Sequence, residues 1–321
     1  MDPLSHCLCG ALAAKAKSGE TYGRFFFWFL VVAGALPDLD IFAGFWGMKA
    51  YLFYHRGLTH SFVGIFAQAL IAALILFFYY AEEIKSFLYF YLISFSILLI
   101  HLFGDWATSY GTPLFLPFSN KNYSLDWISN LSLPVIVIIG SGLWLSRRKN
   151  YFYWKLTWLG LIIFISLSAF AHHRAQALLT KNCFDVLVKQ KNNSSAVKPD
   201  HFFPWLWQGI ITNNTAQAYQ LYQIDLLKNK VSSTVTFLMP EDTPVVKASL
   251  KAERVILFMK HNRWPVAEVK KIDNNWQVFW GNLLFGTDRR LRHGIIVELD
   301  KKLQVLKSYR GNPSWGKAGE K

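Results

Sequence analysis

The sequence has few cysteines and few acidic residues, and each shortage excludes a class of protein. Only three of its 321 residues are cysteine, which excludes a disulfide framework, and Cys7 and Cys9 lie too close along the chain to pair easily. The same scarcity leaves no thiolate pair for a structural cysteine zinc site. No basic segment precedes the first apolar run, so no cleavable signal peptide is expected.

Acidic side chains are outnumbered by basic ones, 20 against 34, which gives a formal net charge of +14. Such a balance can mark nucleic-acid binding, but the sequence contains no nucleic-acid motif, and we expect no nucleic-acid partner. Hydrophobic residues make up 53% of the chain and aromatic residues 17%, which is typical of lipid-facing helices. We therefore attribute the positive charge to membrane topology or to contact with anionic lipid.

Apolar runs predict a multi-pass helical membrane domain at 1–173, so the fold class is mainly α. Two short runs, Leu4–Ala16 and Phe25–Leu36, are predicted to form a helical hairpin. Four longer runs follow, and a span needs about 20 mostly apolar residues. The predicted spans are Ser61–Tyr80, Phe87–Phe103, Leu131–Leu145 and Tyr153–Ala171.

Lysine and arginine residues orient this layout. Three of the predicted turns lie on one membrane face, and two of them are clearly basic: the hairpin turn, with Lys15, Lys17 and Arg24, and the turn at 147–149. The third, at 82–85, carries both signs of charge. Basic turns favour the cytoplasmic side. The remaining loops and the chain after Ala171 are therefore predicted on the extracytoplasmic side of a bacterial inner membrane.

The chain changes character after about residue 174. From there to the end it has 23 lysines and arginines against 12 aspartates and glutamates. Short apolar runs separated by Asn, Gly and Asp indicate strands, and a helix-like stretch, Val246–Lys260, interrupts them. We predict a linker at 174–199 and a small, basic, β-rich soluble domain of the α+β type at 200–321.

Eight histidines and aspartates on the predicted extracytoplasmic face form a candidate metal site. Mixed imidazole and carboxylate ligands favour Zn²⁺, Mn²⁺ or Fe²⁺ over Mg²⁺ or Ca²⁺. Eight candidates exceed the needs of one tetrahedral ion, so the set has room for two or more ions. The eight are His6, Asp38, Asp40, His55, His60, His101, Asp105 and Asp126.

Each motif also has an ordinary structural explanation. In "PDLD", Asp38 and Asp40 would face one ion from an extended turn, or cap a helix. His101 and Asp105 share a helix face and can bind one metal together, or simply hydrogen-bond to each other. Arg56, between the histidines of "HRGLTHS", is either a juxtamembrane charge or a bidentate phosphate ligand.

The remaining candidates depend on their neighbours. Gly57 permits a sharp turn between His55 and His60, and Thr59 or Ser61 could cap the following span. His6 gains importance because the hairpin returns it to the face that carries the others. Asp126 would ligate a metal or cap the next helix.

The chain resembles the LexA-regulated, membrane-bound predicted metal-dependent hydrolases. The motifs "DPLSHCLCGALAA", "GALPDLD", "HRGLTHS" and "HLFGDWATSYGTPLFLPFS" carry the resemblance, together with "ERVILFMKHNRWPVAEV" near the end of the chain. That family is distantly similar to zinc-dependent phospholipase C and P1 nuclease, so the resemblance implies zinc ions and phosphodiester cleavage. It implies as ligands His6, Asp38, Asp40, His55, His60, His101 and Asp105, with a less clear match at Asp126.

We therefore expect a membrane-embedded metal-dependent hydrolase that uses metal-activated water on phosphodiesters or phospholipids. Asp40 or Asp105 is the expected general base, Arg56 the phosphate ligand, and membrane lipid the expected partner; the oligomeric state stays open. The alternative is a non-enzymatic envelope or stress-response protein with a structural metal site. A transporter fits poorly, because the ionisable residues gather at one end of the spans rather than near the midplane.

Overall fold

A computed structural model of the chain describes residues 1–80, 84–146, 151–188, 193–260, 262–285 and 294–312. The chain divides into two compact units. The first is helical and the second contains all the strands of the described residues. The first unit is Met1–Phe45, Tyr54–Ala171 and Pro199–Pro204, and the second is Trp46–Phe53, His172–Lys198 and Trp205–Lys321.

Apolar helices dominate the chain as far as residue 182. Ser61 caps one of them, since its Oγ accepts a hydrogen bond from the backbone N–H of Gly64 at 3.1 Å, as the sequence predicts. The helices are α1 (Pro3–Ala14), α2 (Lys17–Gly34), the 3₁₀ helix η1 (Pro37–Trp46), α3 (Met48–Tyr54), the 3₁₀ turn η2 (Leu58–His60), α4 (Phe62–Tyr80), α5 (Ile84–Trp106), α6 (Leu133–Leu145) and α7 (Tyr151–Asn182).

Helices α1 and α2 form the predicted hairpin, and glycines let their backbones touch. A Cβ atom on Gly10 would lie 2.1 Å from the carbonyl oxygen of Leu30, and one on Gly34 would lie 2.3 Å from that of His6. Small residues at such crossings are typical of membrane helix pairs, where close packing replaces the hydrophobic effect as the cause of association. The contact brings His6 to the end of α2.

The prediction of four long spans is confirmed only in part. Within the part of the chain that the structure describes, three helices are long and apolar enough to cross a membrane: Phe62–Tyr80, Ser86–Trp106 and Phe152–Asn182. The third predicted span is the helix α6, whose 13 residues extend about 20 Å, less than the ~30 Å of a bilayer core. Pro134 explains its late start, because proline is accommodated only in the first turn of a helix. A fourth span exists only if Thr21–Gly34 and Pro37–Trp46, bent by 68°, act together.

The structure describes only some of the charged residues from which the membrane orientation was predicted. Glu82 and Glu83 and the basic turn at 147–149 lie outside the described residues, and the side chain of Lys17 is not described either. The extracytoplasmic position of the loops therefore stays a prediction.

The second unit contains two four-stranded antiparallel sheets, each with its strands in sequence order. The first sheet follows the end of α7 and the short helix α8 (Phe184–Val188), and the second follows α9 (Pro244–Ser249) and α10 (Glu253–Met259). The strands are β1 (Ser194–Pro199), β2 (Leu206–Asn213), β3 (Ala218–Asp225), β4 (Lys230–Leu238), β5 (Pro265–Ile272), β6 (Asn275–Asn282), β7 (Gly294–Leu299) and β8 (Val305–Gly311).

A helix covers each sheet. Leu179 of α7 packs against Gly209 of β2, and Val255 of α10 belongs to the same buried cluster as Trp280 and Val297 of the second sheet. The segment 174–199, predicted as a linker, holds the end of α7, α8 and β1. The predicted helix Val246–Lys260 is two helices, α9 and α10, since the chain leaves helical geometry between them.

Replacing Gly10 by alanine should weaken the α1–α2 hairpin, because the new methyl group would overlap the Leu30 carbonyl. Overpacking of this kind costs about 1–3 kcal/mol, so we expect a lower unfolding temperature for the purified protein in detergent. Gly140→Ala on α6 is the matched control, since a Cβ there meets nothing within 4 Å. Equal unfolding temperatures for the two variants would contradict the close contact.

Candidate metal centre

Polar side chains from four segments of the helical unit meet at one place. Each segment lies near the start or end of a helix, where the backbone changes direction. α1 contributes His6, the start of η1 contributes Asp38 and Asp40, the loop between α3 and α4 contributes His55, Arg56 and His60, and the last turns of α5 contribute His101 and Asp105.

Four of these residues, Asp38, His60, His101 and Asp105, form what we call the four-residue cluster. One ligand atom from each lies within 4.8 Å of the other three. Nε2 of His60 is 3.3 Å from Oδ1 of Asp38 and 3.4 Å from Oδ2 of Asp105, and all four side chains are buried. Two imidazoles and two carboxylates suit Zn²⁺, Mn²⁺ or Fe²⁺, so the cluster could hold a metal ion.

The protonation of His101 prepares it to bind a cation. Its Nδ1 lies 2.8 Å from the carbonyl oxygen of Gly34, and because a carbonyl only accepts, Nδ1 carries the proton. Nε2 is therefore the nitrogen left to bind a cation, and it faces Oδ2 of Asp105, 3.6 Å away. Within the described part of the chain, this buried Nε2 has no hydrogen-bond partner. Histidine ligands of metals are commonly held this way, by a carbonyl at the other nitrogen.

Asp40 fixes the orientation of the His60 ring, as the Gly34 carbonyl fixes that of His101. Its Nδ1 lies 3.2 Å from Oδ2 of Asp40, which leaves Nε2 facing Asp38 and Asp105. Burial alone would lower the pKa of His60, but the hydrogen bonds to Asp38 and Asp40 and the charge of Asp105 raise it above its ordinary value. The surrounding carboxylates therefore favour a positive charge at this position, which a proton or a metal ion can supply.

Both oxygens of Asp40 are occupied by protein donors. Oδ1 lies 2.9 Å from Nδ1 of His55, and Oδ2 accepts from the backbone N–H of Arg56 at 2.9 Å and from Oγ1 of Thr59 at 3.1 Å. Asp40 thus fixes the loop after α3 and orients His60.

Arg56 extends into the site from a left-handed backbone conformation, with φ of 52°, which is uncommon for a residue other than glycine. Its Nη2 donates to Oδ1 of Asp105 at 2.9 Å, and its guanidinium lies 4.4 Å from the ring centroid of Tyr110. Its Nη1 is buried without a hydrogen-bond partner in the described structure. Gly57 takes part in the turn, as predicted, since a Cβ on it would lie 2.8 Å from the carbonyl oxygen of Tyr54, but the residue with positive φ is Arg56.

His6 borders the four-residue cluster. Its ring stacks on His101 with centroids 3.6 Å apart, and its Nε2 lies 3.5 Å from Oδ1 of Asp105, which also accepts from the amino group of Met1. Neither nitrogen of His6 makes a hydrogen bond to the residues that the structure describes. His6 would be a fifth donor, and the third nitrogen, beside the four ligand atoms, so the site has more donors than one tetrahedral ion requires.

The structure separates the eight predicted ligands into groups. Four of them form the cluster, His6 borders it, and Asp40 and His55 are joined to it by hydrogen bonds. Asp126 is buried on the loop between α5 and α6, with φ of 57°, and is not part of the four-residue cluster.

Three contributors were not predicted from the sequence. The carbonyl of Gly34 is a backbone atom and leaves no signal in residue types. The sequence predicts Thr59 only as a helix cap, and it predicts no role for Tyr110 in the "SYGTPLFLPFS" stretch. The one signal that could have pointed to the Gly34 carbonyl is the predicted hairpin, which brings the end of α2 close to the other segments of the site.

A model of a family described as YdjM inner membrane protein matches residues 1–173, a segment that contains every residue of the site. The chain is also similar to "Uncharacterized protein YfhP" of Bacillus subtilis (strain 168), with 22% identity over 280 residues, which is 86% of this chain and 82% of that protein. No solved structure matches the chain.

Removal of one imidazole from the cluster should release bound metal. We expect purified His101→Ala to lose most of the divalent metal measured by mass spectrometry in the parent protein, because Nε2 of His101 is a ligand atom of the cluster. His173→Ala is the matched control, since His173 is an exposed histidine on α7. Equal metal content in the parent, His101→Ala and the control would contradict the site.

Asp40→Asn should weaken metal binding without abolishing it. The amide keeps the shape of Asp40 but replaces one acceptor oxygen by a donor, so His60 loses its fixed orientation. Changes in groups that orient a ligand typically cost about 10–100-fold in metal affinity. Competition against a chelating dye measures the affinity, and Asp38→Asn, which removes a ligand charge, should bind less tightly than Asp40→Asn. The reverse order would make Asp40 the ligand.

Proposed function

The chain belongs to the YdjM inner membrane protein family, and on this premise we propose that it is a membrane-embedded metal-dependent hydrolase of phosphoric ester bonds. The observation that carries the proposal is the convergence of Asp38, His60, His101 and Asp105, with ligand atoms within 4.8 Å of one another. The buried Nε2 of His101 without a hydrogen-bond partner in the described chain supports a cation there, because a buried polar atom otherwise costs stability.

The residues of the site have separate tasks in this proposal. The four-residue cluster would hold a divalent metal, Zn²⁺ by its donor types, and His6 is available to a second ion. A bound metal of this kind supplies Lewis-acid activation of water and of a phosphoryl oxygen. Gly34 and Asp40 keep His101 and His60 in the orientation that ligation requires.

Arg56 is the proposed phosphate ligand. Its guanidinium is fixed by Asp105 and Tyr110, while Nη1 has no hydrogen-bond partner within the described residues. A planar guanidinium with a free N–H matches a phosphate oxygen better than an ammonium group does. A conventional topology charge would instead extend into water, whereas Arg56 is buried.

Of the two candidate general bases, Asp105 fits better than Asp40. Both oxygens of Asp40 are engaged by protein donors, so it has little capacity to take a proton. Oδ2 of Asp105 has no hydrogen-bond partner in the structure as described and lies on the side of His60 and His101. For catalysis, Asp38, His60 and His101 would hold the metal. That leaves Oδ2 of Asp105 to accept the proton from the attacking water, and Asp40 is assigned to positioning.

The proposal also covers the substrate and the side of the membrane on which the site lies. The site lies in a chain with at least three apolar helices of membrane-spanning length, which supports a phospholipid or lipid-linked phosphate as substrate. The basic turns assigned to the cytoplasm support an extracytoplasmic site and C-terminal unit.

A structural metal is the second candidate, and the burial of the cluster favours it. The side chains of His60, His101 and Asp105 are at most 1% exposed. Catalytic zinc sites keep an open position for water or substrate, whereas structural sites are closed. In that case the chain is a non-enzymatic envelope or stress-response protein. The two candidates differ in their response to chelation: a structural metal stabilises the fold, whereas a catalytic metal is required for turnover.

Arg56→Lys should lower hydrolysis while the bound metal stays. We expect kcat/KM for bis-nitrophenyl phosphate or phospholipid in detergent to fall about tenfold to a hundredfold, the equivalent of one charge-assisted hydrogen bond. Arg310→Lys, on the exposed end of β8, is the matched control.

Metal content and unfolding temperature are measured on the same samples. Unchanged turnover in Arg56→Lys would contradict its role as phosphate ligand. A parent protein that hydrolyses neither substrate, and that unfolds when the metal is chelated, would replace the hydrolase by the structural candidate.

A further inference from the structure

The 3₁₀ helix η1 buries both of its acidic side chains and exposes its large apolar ones. Asp38 is buried in the site, and the side chain of Asp40 is 5% exposed. On the other side Phe42, Phe45 and Trp46 are 54%, 83% and 80% exposed, joined by Leu39 and Ile41. Every charged residue of η1 therefore faces inward, and its outward face is apolar.

Such a face is costly in water. Phe and Trp each carry roughly 150–250 Å² of surface, and apolar area left in water costs about 25 cal/mol per Å². The rings of Phe42 and Phe45 stack on each other, with centroids 5.7 Å apart, but this leaves most of their area uncovered. A hydrophobic environment outside the chain is needed to cover them.

The helix that precedes η1 in the chain, α2, also exposes apolar side chains. Trp28 and Val32 of α2 are 63% and 55% exposed, and α2 with η1 meets the length and hydropathy of a span only when the two are taken together. η1 itself, with ten residues, reaches about 20 Å at the 3₁₀ rise and cannot cross a bilayer alone.

We infer that η1 is an interfacial helix whose apolar face lies on the acyl chains of the membrane. The bend of 68° between α2 and η1 turns η1 toward the membrane plane if α2 runs near the membrane normal. Amphipathic helices take this position, with their apolar side at the boundary between headgroups and acyl chains. Trp46, at the end of η1, is of the residue type that gathers at this depth.

The position of η1 determines the depth of the metal centre. Asp38 and Asp40 lie on the first turn of η1, so the four-residue cluster lies at the level of the lipid headgroups. This names the substrate class for the proposed hydrolase, the phosphate of a lipid headgroup, and this consequence rests on the proposed function. The membrane location of η1 does not rest on the proposed function. It rests on the exposed apolar side chains of η1 and on its place directly after α2.

A nitroxide label at Phe45→Cys measures the location directly. The full chain carries Cys7→Ser, because Cys9 and Cys183 are buried, and is reconstituted in nanodiscs of phosphatidylethanolamine and phosphatidylglycerol. Collision with oxygen reports lipid, and collision with a water-soluble nickel chelate reports water. Ile71→Cys on the exposed face of α4 is the lipid reference, and Lys301→Cys in the β7–β8 turn is the water reference.

We expect nickel accessibility at Phe45→Cys to be several-fold lower than at Lys301→Cys, with oxygen accessibility comparable to that at Ile71→Cys. A water-like result at Phe45→Cys would overturn the inference. Shielding from both reagents would overturn it as well, since that result indicates a protein covering η1.

A second pair of measurements separates this inference from the hydrolase proposal. Phe42→Ser with Phe45→Ser should reduce turnover of phospholipid in vesicles several-fold and leave turnover of soluble bis-nitrophenyl phosphate unchanged. If the parent hydrolyses neither substrate, the hydrolase proposal fails, while the label result still decides where η1 lies. Equal loss with both substrates would contradict the lipid-substrate consequence.

Discussion

The hydrogen bond from Nδ1 of His101 to the carbonyl of Gly34 connects the local folding of the chain to its chemistry. α2 ends at Gly34, and a helix end leaves carbonyl groups without partners, which is costly inside a membrane protein. His101 supplies the missing donor. The same bond fixes its free nitrogen toward Asp105, so the break in α2 and the orientation of a ligand have one cause. Gly34 also touches the backbone of His6, which ties α1 to this point.

The charges of the site are unequally compensated. Asp105 is paired with Arg56, and Asp40 accepts hydrogen bonds from a backbone N–H and a hydroxyl. Asp38 has only His60 within hydrogen-bond distance of Oδ1, and its buried Oδ2 has no partner among the described residues. A buried carboxylate with only one of its oxygens paired is costly. The shortage of positive charge therefore lies between Asp38 and the two imidazoles, where the ligand atoms converge.

The general architecture followed from sequence patterns, and the errors have identifiable physical causes. Long apolar runs predicted α4, α5 and α7, and short apolar runs predicted β2, β3, β4, β6 and β7, of which only β4 lies at the edge of its sheet. Three strands were not predicted: β1, β5 and β8, each at the edge of its sheet. Edge strands carry lysine and proline that limit pairing with other chains, so their sequences, such as "SSAVKP" and "VLKSYRG", lack the apolar alternation by which strands are recognised.

The sequence predicted which residues form the site, but it did not predict which of them are ligands and which orient the ligands. His101 and Asp105 share a face of α5 because helical spacing is regular. Asp38 and Asp40 were expected to point the same way, as they would in an extended chain. η1 is a 3₁₀ helix with three residues per turn, so positions two apart diverge. Asp38 therefore enters the four-residue cluster, and Asp40 turns to His55, Arg56 and Thr59. One local conformation thus converts a pair of similar carboxylates into a ligand and the group that orients another ligand.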